Sequence, residues 1–389
     1  MARQRLALGA LLAGVSALGA CTHDFTGYHL ESSDAGSSGV EAGAGGAPAQ
    51  GGTSSNLGGG HTSGGAGNAA GDHGDAGGRA DAGSSAQAGS GEAGSGEAGG
   101  GGENPIILLT GTPPSCLGLS ATCGPDRKTS CCAASLVPGG TYDRSNLAVA
   151  PATVSDFGLD QYEVSVGRFR NFVKAYTQAA TQAGSGRNPN NLMLDPGWNA
   201  AWNAKLPATA AALSTTVKCD NGTFTPEPGA NESLPMTCLS WYEAFAFCIW
   251  DGGRLPTEAE WNYAAAGGSE ERSHPWGNSV PDDDHAVFCP GSCGVMQTVG
   301  TKAPKGGGKW GQVDLVGNVW EWNVDVFVSP YPQSTCQDCA TTTASASSTR
   351  VFRGGSAANG AAVLLSATRN SRDPNDHNAF IGVRCARNP

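Results

Sequence analysis

Past Ser165, apolar side chains recur at Val166, Phe169, Phe172, Val173 and Tyr176, the spacing of one helical face, with Ser165 placed to cap it. A second face, Trp241, Phe245 and Cys248, begins inside Ser240-Trp241-Tyr242-Glu243. That tetrad is a capping box, in which hydroxyl and carboxylate satisfy opposite orphan amides, and Gly252-Gly253 stop the helix. Thr257-Glu258-Ala259-Glu260 is another, preceded by Pro256 and closed by Gly267-Gly268. The pattern therefore makes Glu243 and Glu260 capping residues rather than an acid–base pair, and Trp241 and Trp261 core residues. Phe157 to Tyr162 predicts a strand. From Asn188 to Pro235, Pro, Gly and Asn punctuate a loop-rich stretch. After Gly268 the chain is rich in turns, with Trp276, Trp310, Trp320 and Trp322 spaced through them. Many short strands, two good helices and scattered tryptophans predict an α+β domain with little regular structure.

The first hundred residues follow no such pattern. Arg3 and Arg5 precede an apolar run from Leu6 to Leu18, too short to span a bilayer and shaped as an export signal. Leu18-Gly19-Ala20-Cys21 reads as a bacterial lipobox, with Cys21 the lipidated first residue of the mature protein. Residues 1–20 are thus expected to be a signal peptide, and acyl chains on Cys21 to be the sole tie to a membrane. Thr22 after the cysteine favours the outer membrane, so the expected location is the cell envelope. Residues 21–105 are a tether of Gly, Ala and Ser, with too little apolar surface to offset backbone entropy, which predicts disorder. Between Ser32 and Glu103 eight acids face Arg79 alone, so seven of the eleven net negative charges lie there. No basic patch of a nucleic-acid binder appears anywhere.

Thirteen cysteines less Cys21 leave twelve, an even number in an exported chain, which predicts six disulfides. Spacing suggests Cys289 with Cys293, Cys336 with Cys339, and Cys219 with Cys238. Cys116, Cys123, Cys131 and Cys132 form a small knot of undetermined connectivity within a Cys-rich segment, residues 106–135. That segment is too short for its own core. A zinc site at Cys336-Gln337-Asp338-Cys339 lacks a second ligand pair.

Trp241-Tyr242-Glu243-Ala244, Arg254-Leu255-Pro256-Thr257-Glu258-Ala259-Glu260-Trp261, and Gly317-Asn318-Val319-Trp320-Glu321-Trp322 together resemble the formylglycine-generating enzyme (sulfatase-modifying factor) family. Arg353-Gly354-Gly355-Ser356 and Ile381-Gly382-Val383-Arg384-Cys385 close the match, which extends over residues 136–389. Leu136 to Tyr142 resembles the family's opening strand. The resemblance implies a C-type-lectin-like fold and a bridge from Cys248 to Cys385. It also implies the family's chemistry, oxidation of a sulfatase cysteine to formylglycine by copper held between two thiolates. Those thiolates lie five apart, shortly after Gly-Gly-Ser, and copper(I) selects soft sulfur. Here no cysteine stands between Cys339 and Cys385, and no His or Met replaces one just after Ser356. Copper is therefore not expected.

Other chemistries fare no better. His274, His285 and His377 lack the spacing of an iron site, and Gly-x-Ser-x-Gly is absent. In relatives the loop matching Asp314 to Glu321 wraps calcium. Carried over, Asp314 and Glu321 would offer carboxylates, and Gly317 and Val319 carbonyls, the oxygen ligands calcium takes. Arg384 is expected in a structural ion pair. The stretch from Ser366 to Arg384 resembles the variable ligand loop of non-oxidase relatives. The ligand surface is expected at Ser356, Asn359, Arg369, Asn370, Arg372, Asp376 and His377, with Trp320 as a platform. The chain is thus expected to be a monomeric binding or scaffolding module for a peptide, protein or glycan. The alternative is a sulfatase-maturing oxidase.

Overall fold

Three small sheets and four short helices make the domain in this computed structural model, which describes residues 106–178, 181–289, 293–345 and 347–389. The expected signal peptide, Cys21 and the tether lie outside these residues. The first sheet joins β1 (Ala134–Val137), β4 (Phe157–Asp160) and β10 (Ala386–Arg387), all antiparallel. In the second, β2 (Gly140–Asp143) runs antiparallel to β3 (Pro151–Val154), which pairs in parallel with β6 (Cys336–Gln337). The third has the order β8 (Arg369–Arg372), β7 (Arg350–Arg353), β5 (Trp320–Val326), β9 (Ile381–Gly382). This is the α+β architecture with little regular structure that the pattern predicts.

The helices start where their caps lie. In α1 (Val166–Ala175) the Ser165 side chain accepts from the Arg168 amide. Both α3 (Trp241–Trp250) and α4 (Glu258–Ala266) carry complete capping boxes, and α4 ends at Gly267 with φ 68°. Glu243 and Glu260 are thus capping residues, and the Trp241 and Trp261 side chains are fully buried. Helix α2 (Ala210–Thr216) rises inside the stretch expected as loop, capped by Thr209. Its apolar signal is a lone Leu213, while Ala210-Ala211-Ala212 supply helix propensity.

One core packs α1 against α3, with Phe169 stacked on Phe247 at 5.6 Å and Phe172 edge-on to the same ring at 5.7 Å. Each such buried ring contributes about 1.5–3 kcal/mol relative to exposure. The strand expected over Leu136 to Tyr142 is two strands in separate sheets. Pro138 has no amide to continue the ladder, and Gly139 donates instead to Asp156. The Cys-rich segment is bonded into the domain. Leu109 donates to Ala134, Leu136 to Ile107, and Arg168 on α1 to Ser115. Its knot resolves into nested bridges, Cys116–Cys132 around Cys123–Cys131.

Candidate functional site

Strand β7 is followed by Gly354-Gly355, with φ of 105° and 74°, values that side chains rarely tolerate. A Cβ on Gly354 would sit 2.6 Å from the Leu315 carbonyl, so glycine also permits the close approach of that loop. The turn folds residues 356–359 back onto β5. There Asn359 Oδ1 accepts from Ser356 N (3.0 Å), Ser356 Oγ (2.7 Å) and Trp320 Nε1 (2.9 Å). Three expected ligand residues therefore meet, but around one amide oxygen and facing inward. Trp320 is 3% exposed and edge-on to Phe352 at 5.0 Å, so its ring is a core element rather than a platform. Ser356 is buried as well.

Arg369 also turns inward. It opens β8, whose alternation sends its guanidinium beneath the sheet to Glu258, at 2.7 and 2.9 Å. Glu258 takes Arg353 too, at 2.8 Å. Burial pushes the Glu258 carboxyl up, but Arg369 and Arg353 outweigh it and hold it below the usual range. Arg369 is thus a structural cation, which the polar run Arg369-Asn370-Ser371-Arg372 does not announce as a strand.

The remaining four expected residues reach solvent. Arg372 pairs with Asp376 at 2.8 Å, both side chains more than 40% exposed. Asn370 is half-buried, and its side chain accepts from the Ser371 amide. His377 Nε2 lies 2.8 Å from Glu243 Oε2, beside the start of α3. Burial pushes the His377 pKa down, yet the Glu243 hydrogen bond and charge raise it overall. The loop is pinned there by main chain also, Trp241 N to Pro374 O and Cys238 N to Asn378 O, each 3.0 Å. An accessible polar surface of Asn370, Arg372, Asp376 and His377 therefore stands on a fixed base.

Around the expected calcium loop the carboxylates find other partners. Glu321 takes Arg384 through both oxygens at 2.7 Å, and Trp261 Nε1 at 2.7 Å. Arg384 is thereby the structural cation expected. Asp314 Oδ2 accepts from Gly300 N at 2.6 Å, while Oδ1 is buried without a partner. Burial, opposed by that amide, pushes Asp314 up to about 6. Glu163, which sequence reasoning missed, caps the same loop by accepting from Val319 N and Asn318 Nδ2. Burial first, then Asp314 and Glu321, hold its pKa well above the carboxylate range. The signal was available: an acid between Tyr162 and Val164, apolar on both sides. As placed, the loop offers a cation one free carboxylate oxygen, and no set of three or more His, Cys, Asp or Glu ligands gathers among the described residues.

Sulfur is fully committed. Cys219–Cys238, Cys248–Cys385, Cys289–Cys293 and Cys336–Cys339 close as expected and, with the two nested bridges, pair all twelve cysteines beyond residue 105. Cys289 abuts the Ser356 turn, its amide donating to Asn359 O at 2.8 Å.

Residues 120–389 match the model of the sulfatase-modifying factor enzyme 1-like domain. A mouse protein named formylglycine-generating enzyme is 32% identical over 198 residues, 45% of this chain and 51% of its own. The chain thus spans about half the length of that relative. A bovine protein named inactive C-alpha-formylglycine-generating enzyme 2 is 31% identical over 265 residues, 61% of this chain and 79% of its own. Among solved structures, PvdO from Pseudomonas aeruginosa aligns with a TM-score of 0.49 at 18% identity, over 74% of this chain and all of its own.

Proposed function

The chain belongs to the sulfatase-modifying-factor family, and from that premise we propose that it is a binding or scaffolding member without redox catalysis. One observation carries this reading. Copper(I) in this family needs two thiolates, and all twelve cysteines of the described region are joined in disulfides, whose sulfurs carry no thiolate charge. The donor set does not fit copper. Arg384 already balances Glu321, so calcium at the Asp314–Glu321 loop would rest on Asp314 Oδ1 and the Gly317 and Val319 carbonyls.

What is left for function is the accessible polar surface from Asn370 to His377, supported by β8 and the start of α3. Asn, Asp, Arg and His there suit a polar peptide, protein or glycan. We place the domain on a lipid anchor at Cys21 in the outer membrane, as a monomer.

Thiol titration of the unfolded, unreduced mature protein tests the reading, together with a copper-dependent assay on a sulfatase-motif peptide. We expect no free thiol and no aldehyde. Two free thiols with peptide oxidation would establish the sulfatase-maturing alternative instead.

A further inference from the structure

One of the six disulfides differs from the rest in its surroundings. Cys293 is the one exposed cysteine among the described residues, and its partner Cys289 is half-buried. Every other bridge has a buried end. Cys132, Cys238 and Cys339 each bury one, while Cys123–Cys131 and Cys248–Cys385 are buried at both. Loop length does not make the difference. Cys336–Cys339 joins residues 3 apart, yet Cys339 belongs to a buried apolar cluster and Cys336 packs against it. Cys289–Cys293 joins residues 4 apart, so it constrains little of the unfolded chain and stabilises less than Cys248–Cys385.

Both ends of this short loop are held without the sulfur. Cys289 N donates to Asn359 O at 2.8 Å and Gly294 N to Ala357 O at 3.1 Å, so main chain fastens them to the Ser356 turn. Phe288, just before the loop, packs against the buried cluster, whereas Val295, just after it, is 73% exposed. The Cys293 end therefore lies toward solvent and the Cys289 end toward the domain. Opening the bridge leaves the two cysteines side by side, placed to close again.

We propose that Cys289–Cys293 is a reversible modification site that exchanges with small external thiols at Cys293. Exchange is attack by a thiolate on a disulfide sulfur, so access decides which bridge reacts, and exposed bridges are the labile ones. The incoming thiolate uses its electron pair to bond Cys293 Sγ. The Cys293–Cys289 bond breaks, and its pair leaves with Cys289 as a thiolate, which takes a proton from water. The external thiol is thereby oxidised into a mixed disulfide, and Cys289 is reduced. Return attack by Cys289 on Cys293 Sγ expels the thiol and restores the bridge, so no other oxidant takes part. The step is stoichiometric rather than catalytic, and it does not depend on the binding surface at Asn370 to His377.

Timed treatment of the oxidised full chain with dithiothreitol, stopped with N-ethylmaleimide and mapped by peptide mass spectrometry, gives the order in which bridges open. Cys289–Cys293 should open first, about tenfold faster than Cys336–Cys339, while circular dichroism shows the domain still folded. With glutathione instead, the adduct should sit on Cys293 and the maleimide on Cys289. Two variants read the direction separately. The free Cys293 of Cys289→Ser should react with glutathione disulfide about tenfold faster than the free Cys289 of Cys293→Ser. If either variant fails to fold, the time course of the unaltered chain decides alone. Another bridge opening first, unfolding on opening, no glutathione adduct or one on Cys289, or equal rates in the two variants would overturn the proposal.

Discussion

Beneath the third sheet, Glu321 with Arg384 and Glu258 with Arg353 and Arg369 are sealed ion clusters. At its edge, Arg372 with Asp376 and His377 with Glu243 are built from the same chemistry but reach water on at least one side. The inner clusters fix the position of loops; the outer pairs shape a surface. Residue type does not separate the two roles, because desolvation decides what a charge is worth.

Breaking each pair in turn sharpens that contrast. Arg384→Met strands Glu321 without a counter-charge, and should cost about 3–5 kcal/mol in urea unfolding of the oxidised protein. A loss under 1 kcal/mol would mean that Glu321 simply takes up a proton. Glu258→Gln keeps the shape but removes the carboxylate charge that Arg353 and Arg369 share, at about 2–3 kcal/mol. His377 gives a smaller, pH-dependent effect. Its folded pKa is raised from 6.5, so the stability it lends is complete below that value. It is lost as pH rises through the folded value. Amide exchange in residues 373–378 should therefore quicken with pH beyond the intrinsic rate, and His377→Gln should remove the excess. Arg372→Ala comes last, at under about 1 kcal/mol, since both partners are largely in water. If the outer surface is the ligand face, that variant should weaken ligand capture while the melting curve stays put.

The sequence was legible where structure is local. Capping boxes at Ser240 and Thr257 involve residues three apart, and Cys289–Cys293 or Cys336–Cys339 close over a few residues. The bridge from Cys248 to Cys385 spans 137 positions, and only family resemblance pointed to it. What stayed hidden depends on direction. Arg369 faces in and Arg372 out because β8 is a strand, yet its four polar residues show no hydrophobic alternation. Trp320 likewise looked like a platform until Asn359 and Phe352 enclosed it. Glu163 announces its burial through the apolar residues on either side, but nothing local names its partner Asn318, 155 positions away.

The nested bridges near the start of the domain have a mechanical consequence. A pull at Ile106 first peels the pairings of Ile107 with Leu136 and of Leu109 with Ala134, and then reaches Cys116. From there the covalent link to Cys132 carries tension directly toward β1, bypassing residues 117–131. Single-molecule stretching should show a short first extension under oxidising conditions, lengthened by the hidden loop once a reductant is added.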